Sequence, residues 1–136
     1  MAMPDYGQHD CLGLAELVRK GEVSPTELLD EALARTAAVN PQINAVIHLM
    51  EGRARAAIAA GLPDGPLRGV PFLIKDLMTA YAGEPLRFGS RLFRDYVPAE
   101  HEELTRRYLQ AGLVIFGKTN TPELGVTNVT EPELFG

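Results

Sequence analysis

Lys75 and Asp76 close an apolar run, Val70-Pro71-Phe72-Leu73-Ile74, and that placement makes Lys75 the first residue here with chemistry to offer. An ammonium at the end of a buried strand is disfavoured in its charged form, and a lysine neutral near physiological pH can act as a general base. The bland reading of such a lysine is structural, reaching to water or pairing with a neighbouring acid such as Asp76. Asp76 itself reads as support for the loop that follows. A second lysine lies in Gly112-Leu113-Val114-Ile115-Phe116-Gly117-Lys118-Thr119, which satisfies the phosphate-loop pattern G-x-x-x-x-G-K-[ST] letter for letter. A phosphate cradle needs the four intervening residues to form a loop whose N–H groups wrap the anion, between a strand and a long helix. Leu, Val, Ile and Phe instead spell a strand, so nucleotide binding is only the remote alternative. Ser24, Ser90 and Thr119 are the hydroxyls to weigh as nucleophiles. Ser24 heads a helix, and the other two lack the sharp glycine-rich turn that presents a nucleophile beside an oxyanion hole.

What must position these residues is one globular domain: the chain has 136 residues, 46% of them hydrophobic and 23% charged. A net charge of −5 argues against nucleic-acid binding, whose affinity comes from cations on phosphates. Cys11 is alone, and His9, His48 and His101 are scattered, so neither a disulfide nor a metal site is expected, and no cofactor is implied. No apolar stretch approaches the roughly 20 residues that cross a bilayer. The start Met1-Ala2-Met3-Pro4-Asp5-Tyr6 lacks the basic and apolar blocks of a signal peptide, and a cytoplasmic location is the expectation.

Leu14, Leu17 and Val18 recur at helical spacing over 12–20, with Gly21 placed as a C-cap. Ser24-Pro25-Thr26-Glu27 is a capping box that starts a second helix, expected to run to about Val39 and to stop at Asn40-Pro41. A short strand is expected over 44–49, a break at Glu51-Gly52, a helix over 53–60 and a Pro/Gly loop over 61–69. The run 70–74 suits a strand buried on both faces of a parallel sheet. Residues 81–98 read as irregular, 100–111 as a helix closed by Gly112, and 113–116 as a second buried strand. Strand, helix and strand make one crossover unit. The fold class is therefore α/β, a partial and mostly parallel sheet flanked by helices.

These residues carry a resemblance. Leu14-Ala15-Glu16-Leu17, Gly21-Glu22-Val23-Ser24-Pro25, Asn40-Pro41, the lysine-bearing run 65–76, Gly89-Ser90 and Gly117-Lys118-Thr119-Asn120-Thr121-Pro122-Glu123 together resemble the N-terminal part of the amidase signature family of serine hydrolases. The similarity extends along nearly the whole chain, and Thr130-Glu131-Pro132-Glu133-Leu134-Phe135-Gly136 is similar to a branch acting on cyclic and linear aminohexanoate amides. It departs at Leu86-Arg87, where relatives commonly carry small hydroxylated residues.

The resemblance implies a Ser, a second Ser in a cis peptide and a lysine acting as a relay on an amide carbonyl. By position Lys75 is that lysine, and Gly125, Val126 and Thr127 line the substrate pocket. Lys118 corresponds to a family residue that is not the base. The resemblance also implies that residues 1–136 are the N-terminal part of an amidase domain, with both relay serines in a segment beyond Gly136. The 136-residue chain alone is then expected not to turn over amides. The rival expectation is a non-catalytic module that self-associates through exposed sheet edges or apolar faces into a homo-oligomer.

Overall fold

Asp10 opens the first helix by accepting the Gly13 N–H at 2.7 Å, and α1 (Cys11–Lys20) ends on Gly21 in the left-handed conformation that glycine adopts freely. The computed structural model describes residues 5–136; the opening Met1-Ala2-Met3-Pro4 lies outside them. The capping box forms as the sequence requires. Ser24 Oγ accepts the Glu27 N–H at 3.2 Å, and Glu27 reaches back to the Ser24 N–H at 2.9 Å, starting α2 (Pro25–Ile43).

That helix does not stop at Asn40-Pro41 but continues to Ile43, with Asn44 left-handed as its cap. In the last turn a proline forfeits only its own hydrogen bond, and two others offset the loss. Asn40 accepts the Val46 N–H at 2.7 Å and donates to the Val46 carbonyl at 2.8 Å, tying the helix end to β1 (Val46–Leu49). The next helix, α3 (Glu51–Ala60), also differs from expectation by starting at Glu51 rather than 53. β2 (Pro71–Lys75), α4 (Glu103–Gln110) and β3 (Val114–Thr119) follow. The sequence pattern for β3 ended at Phe116, whereas the strand carries on through Gly117, Lys118 and Thr119.

The sheet has the order β1-β3-β2. β2 and β3 run parallel, joined across α4 as a crossover requires, while β1 lies antiparallel on the other side of β3. The fold is α/β as expected, with a mixed sheet among the described residues. One face carries Leu29 and Ala32 of α2 and Ala54 of α3 against Val114 and Phe116. On the other, Met50, Ile74 and Ile115 pack with Tyr108 and Leu109 of α4 and with Tyr81. Among the described residues no helix is long and apolar enough to cross a membrane.

Candidate active site

Two lysines reach the C-terminal ends of the parallel strands, where ligands of open α/β sheets gather. Alternation along β2 sends Leu73 toward the α2 and α3 face and Ile74 toward the α4 face, so Lys75 follows Leu73. Lys75 is exposed and its amine has no hydrogen bond or ion pair among the described residues. Its carbonyl accepts the Thr79 hydroxyl, which closes the turn after the strand. Across the ladder it stands opposite Thr119.

Lys118 has the opposite surroundings. It is 0% exposed, as is Asp76, and its Nζ lies 3.5 Å from Asp76 Oδ1 and donates to the Pro85 carbonyl. Burial pushes the Lys118 amine below its ordinary pKa, and the Asp76 carboxylate partly offsets that. Strict alternation from Val114 and Phe116 would have put Lys118 on the α2 and α3 face. A one-residue slip in the ladder, where Ile115 pairs with Phe72 but Gly117 with Leu73, turns it to the Ile74 side instead. Gly117 at the slip has no room for a side chain: a Cβ there would sit 2.7 Å from the His48 carbonyl.

Asp76 therefore serves the loop, as its sequence context implies, and its ion partner is Lys118 rather than Lys75. Its Oδ2 accepts the Arg87 N–H at 3.2 Å, its N–H donates to the Thr119 carbonyl at 3.0 Å, and its carbonyl accepts the Phe88 N–H at 3.1 Å. These bonds fasten a strap, residues 83–89, across the end of the sheet. Glu84 extends the fastening, with Oε2 2.7 Å from His48 Nε2 and Oε1 accepting from Arg53. Burial would raise the Glu84 pKa, but the hydrogen bonds from His48 and Arg53 outweigh it and hold the carboxyl below its ordinary range. Leu86, at the departure from the family pattern, is buried here.

Of the candidate nucleophiles, Ser24 is engaged as a cap. Ser90 is also engaged: it is buried and donates to Glu123 Oε1 at 2.7 Å. Gly125 approaches the residues after Lys75, since a Cβ on it would lie 2.7 Å from Leu77 Cδ2. Val126 and Thr127 line an open depression of about 510 Å3 with Pro122, Glu123 and Asn128, and Lys75 is not in its lining. The segment 112–119 is loop and strand, the Gly112 and Leu113 N–H groups donate to the Leu109 and Tyr108 carbonyls of α4, that of Val114 donates to the Val70 carbonyl, and Lys118 is sealed from any phosphate. The resemblance gives Lys118 no catalytic role, and its buried pair with Asp76 is not evident from the motif that contains it. The available signal was a lysine inside a strand otherwise apolar enough to be buried, which demands an acid partner.

The family description Amidase matches residues 27–136. The 6-aminohexanoate-cyclic-dimer hydrolase of Paenarthrobacter ureafaciens is 43% identical over 129 residues, covering 93% of this chain and 26% of that protein. The lipoamidase of Enterococcus faecalis is 40% identical over 133 residues, covering 97% of this chain and 18% of that protein. A solved structure of 6-aminohexanoate cyclic dimer hydrolase with substrate superposes with a TM-score of 0.90 at 39% identity, over 98% of this chain and 27% of that one. The chain thus spans about a quarter of the length of the first of these curated relatives, 26%.

Proposed function

Because the chain belongs to the amidase family, we propose that it is the lysine-bearing part of an enzyme that hydrolyses carboxamides, with Lys75 as general base. The observation that carries this reading is the state of Lys75, an exposed amine at the carboxyl end of a parallel strand with no acid paired to it among the described residues. In the proposed reaction the neutral amine takes a proton through one serine from a second, which attacks the amide carbonyl. Backbone N–H groups hold the tetrahedral oxyanion, the amine leaves protonated, and water releases the acyl group. Gly125, Val126 and Thr127 form part of the substrate wall, and the substrate is a small-molecule amide. Both serines of this sequence are engaged elsewhere, so the 136-residue chain alone is inactive in this reading.

The test is a chimera in which the chain replaces the matching quarter of the 6-aminohexanoate-cyclic-dimer hydrolase. The chimera should release amine from a simple aliphatic amide, and Lys75→Ala should abolish most of that turnover. A folded chimera whose turnover ignores Lys75→Ala overturns the assignment, and turnover by the isolated chain overturns its inactivity.

A second proposal concerns assembly. β1 and β2 each keep one unpaired edge among the described residues, which favours pairing with a second copy. Light scattering should give at least twice the 14.8 kDa chain mass. A monomer at every working concentration rejects self-association.

A further inference from the structure

A lysine next to an acid in sequence is a poor general base, because a nearby carboxylate stabilises the ammonium and holds the proton on. Lys75 has such a neighbour in Asp76. The geometry removes it: Asp76 turns to the α4 face and is engaged by Lys118, which the slip at Gly117 has brought to that same face. We propose that Lys118 is a positioning residue for Lys75: its ammonium, buried against the Asp76 carboxylate and the Pro85 carbonyl, withholds the Asp76 charge from the Lys75 amine on the opposite face. This inference rests on the reading of Lys75 as the base, and it assigns Lys118 a role although Lys118 touches neither Lys75 nor any substrate.

Three arrangements support it. The pair is sealed from water, so its charges are weakly screened and the partner of Asp76 matters. The pair is also held in register by the backbone, through the Asp76 N–H to the Thr119 carbonyl at 3.0 Å. Finally, the charges around it are accounted for: Asp76, Glu84 and Arg87 act on Lys118, and Glu84 is itself tied to His48 and Arg53. Among the described residues none of these makes a hydrogen bond or ion pair with the Lys75 amine.

The experiment titrates the Lys75 amine in the full 136-residue chain by NMR with lysine labelled at Cε, which needs no turnover. Lys20, Lys75 and Lys118 are the only lysines in the sequence, and substitution of each assigns the signals. Lys118→Gln keeps a donor for Pro85 but frees the Asp76 charge. It should raise the Lys75 midpoint by about half a pH unit, because an uncompensated carboxylate nearby favours the ammonium. Asp76→Asn/Lys118→Gln removes both charges, leaves no orphan ion to unfold the chain, and should return the midpoint to the wild-type value. An unmoved midpoint in folded Lys118→Gln, or one that stays raised in the double variant, overturns the proposal. Should Lys118→Gln unfold by circular dichroism, the double variant decides. If Asp76 were the counter-ion of Lys75, the midpoint would fall there, which overturns the proposal; Asp76→Asn alone, which leaves the Lys118 charge uncompensated, should lower the midpoint by a similar amount, and an unmoved midpoint in that variant overturns it too. A purely structural Lys118 moves stability but not the Lys75 midpoint. Failure of the amidase reading is seen separately, in the chimera's dependence on Lys75.

Discussion

Lys75 and Lys118 stand on neighbouring parallel strands, one register step apart, and could hardly be treated more differently. Lys75 is exposed and, among the described residues, unpaired, on the face of Leu73; Lys118 is sealed on the face of Ile74 against a carboxylate and a carbonyl. The same side chain is solvent-exposed in one place and held by two partners in the other. What separates them is a one-residue slip at Gly117 and the strap that closes over the α4 face, the first dependent on a glycine and the second on the Asp76 and Glu84 carboxylates. Exposure or burial of a lysine at this sheet end is therefore set by which face it reaches.

The sharpest way to break this comparison is to remove each lysine and read activity and stability together. Lys75→Ala should lower turnover of the chimera about 10²–10⁴-fold, the usual worth of a positioned base. It should leave the urea midpoint of the isolated chain unchanged to within about 0.5 kcal/mol, because an exposed side chain without partners holds nothing. Lys118→Met reverses the pattern. Breaking a buried pair strands the Asp76 charge and should cost about 3–5 kcal/mol, while Asp76→Asn/Lys118→Met recovers most of it. Equal stability losses for Lys75→Ala and Lys118→Met in urea titrations would erase the distinction between the two lysines.

The sequence made one of these lysines visible and hid the other. Lys75 ends a run that reads as a strand from composition alone, and the capping box of α2 and the Gly21 cap were equally local signals. The phosphate-loop match was also decided locally, since Leu113 to Phe116 cannot be both strand and cradle. Lys118 belongs to a pair separated by 42 residues, and its face depends on a slip that shifts alternation by one. No periodicity in residues 112–119 encodes that slip. The persistence of α2 past Pro41 was hidden for the same reason, because the bonds that offset the lost N–H come from Asn40 to Val46, across a turn. The antiparallel placement of β1 likewise rests on its pairing with the distant β3, Val46 opposite Thr119, which its four residues do not announce.

A smaller effect tests the strap. Gly89 has a left-handed backbone, φ +64°, and a Cβ on it would lie 2.7 Å from the Thr121 carbonyl. Gly89→Ala should therefore cost about 2 kcal/mol by strain and displacement. If the strap is what distinguishes the two faces, hydrogen exchange at Arg87 and Phe88, whose N–H groups bond Asp76, should accelerate in this variant while β2 stays protected. Uniform acceleration would mean that strap and sheet open as one unit and that the strap has no separate part in holding Asp76.

The smallest effect concerns pH, and its sign is fixed by two groups on the strap side. Burial, with Arg106 and Arg53 nearby, holds the His101 pKa below its ordinary 6.5, so the fold favours the neutral ring, whose Nδ1 accepts the Ala82 N–H at 3.1 Å. A depressed folded value means that this stabilisation is present above pH 6.5 and is lost as pH falls below it toward the folded pKa. Glu84 is also depressed, so its contribution is present above the ordinary carboxylate range and disappears at still lower pH. Acid should thus loosen the strap in two stages and leave the buried ladder of β2 and β3 for last. The protection factor of the Ala82 amide, after correction for intrinsic exchange, should fall below pH 6.5 several-fold before that of Ile115 changes, and His101→Gln should flatten the first stage. Lys75 has no partner on the strap side, so its environment should not change across that first stage. A Lys75 signal that shifts together with Ala82 protection would show that the two faces communicate after all.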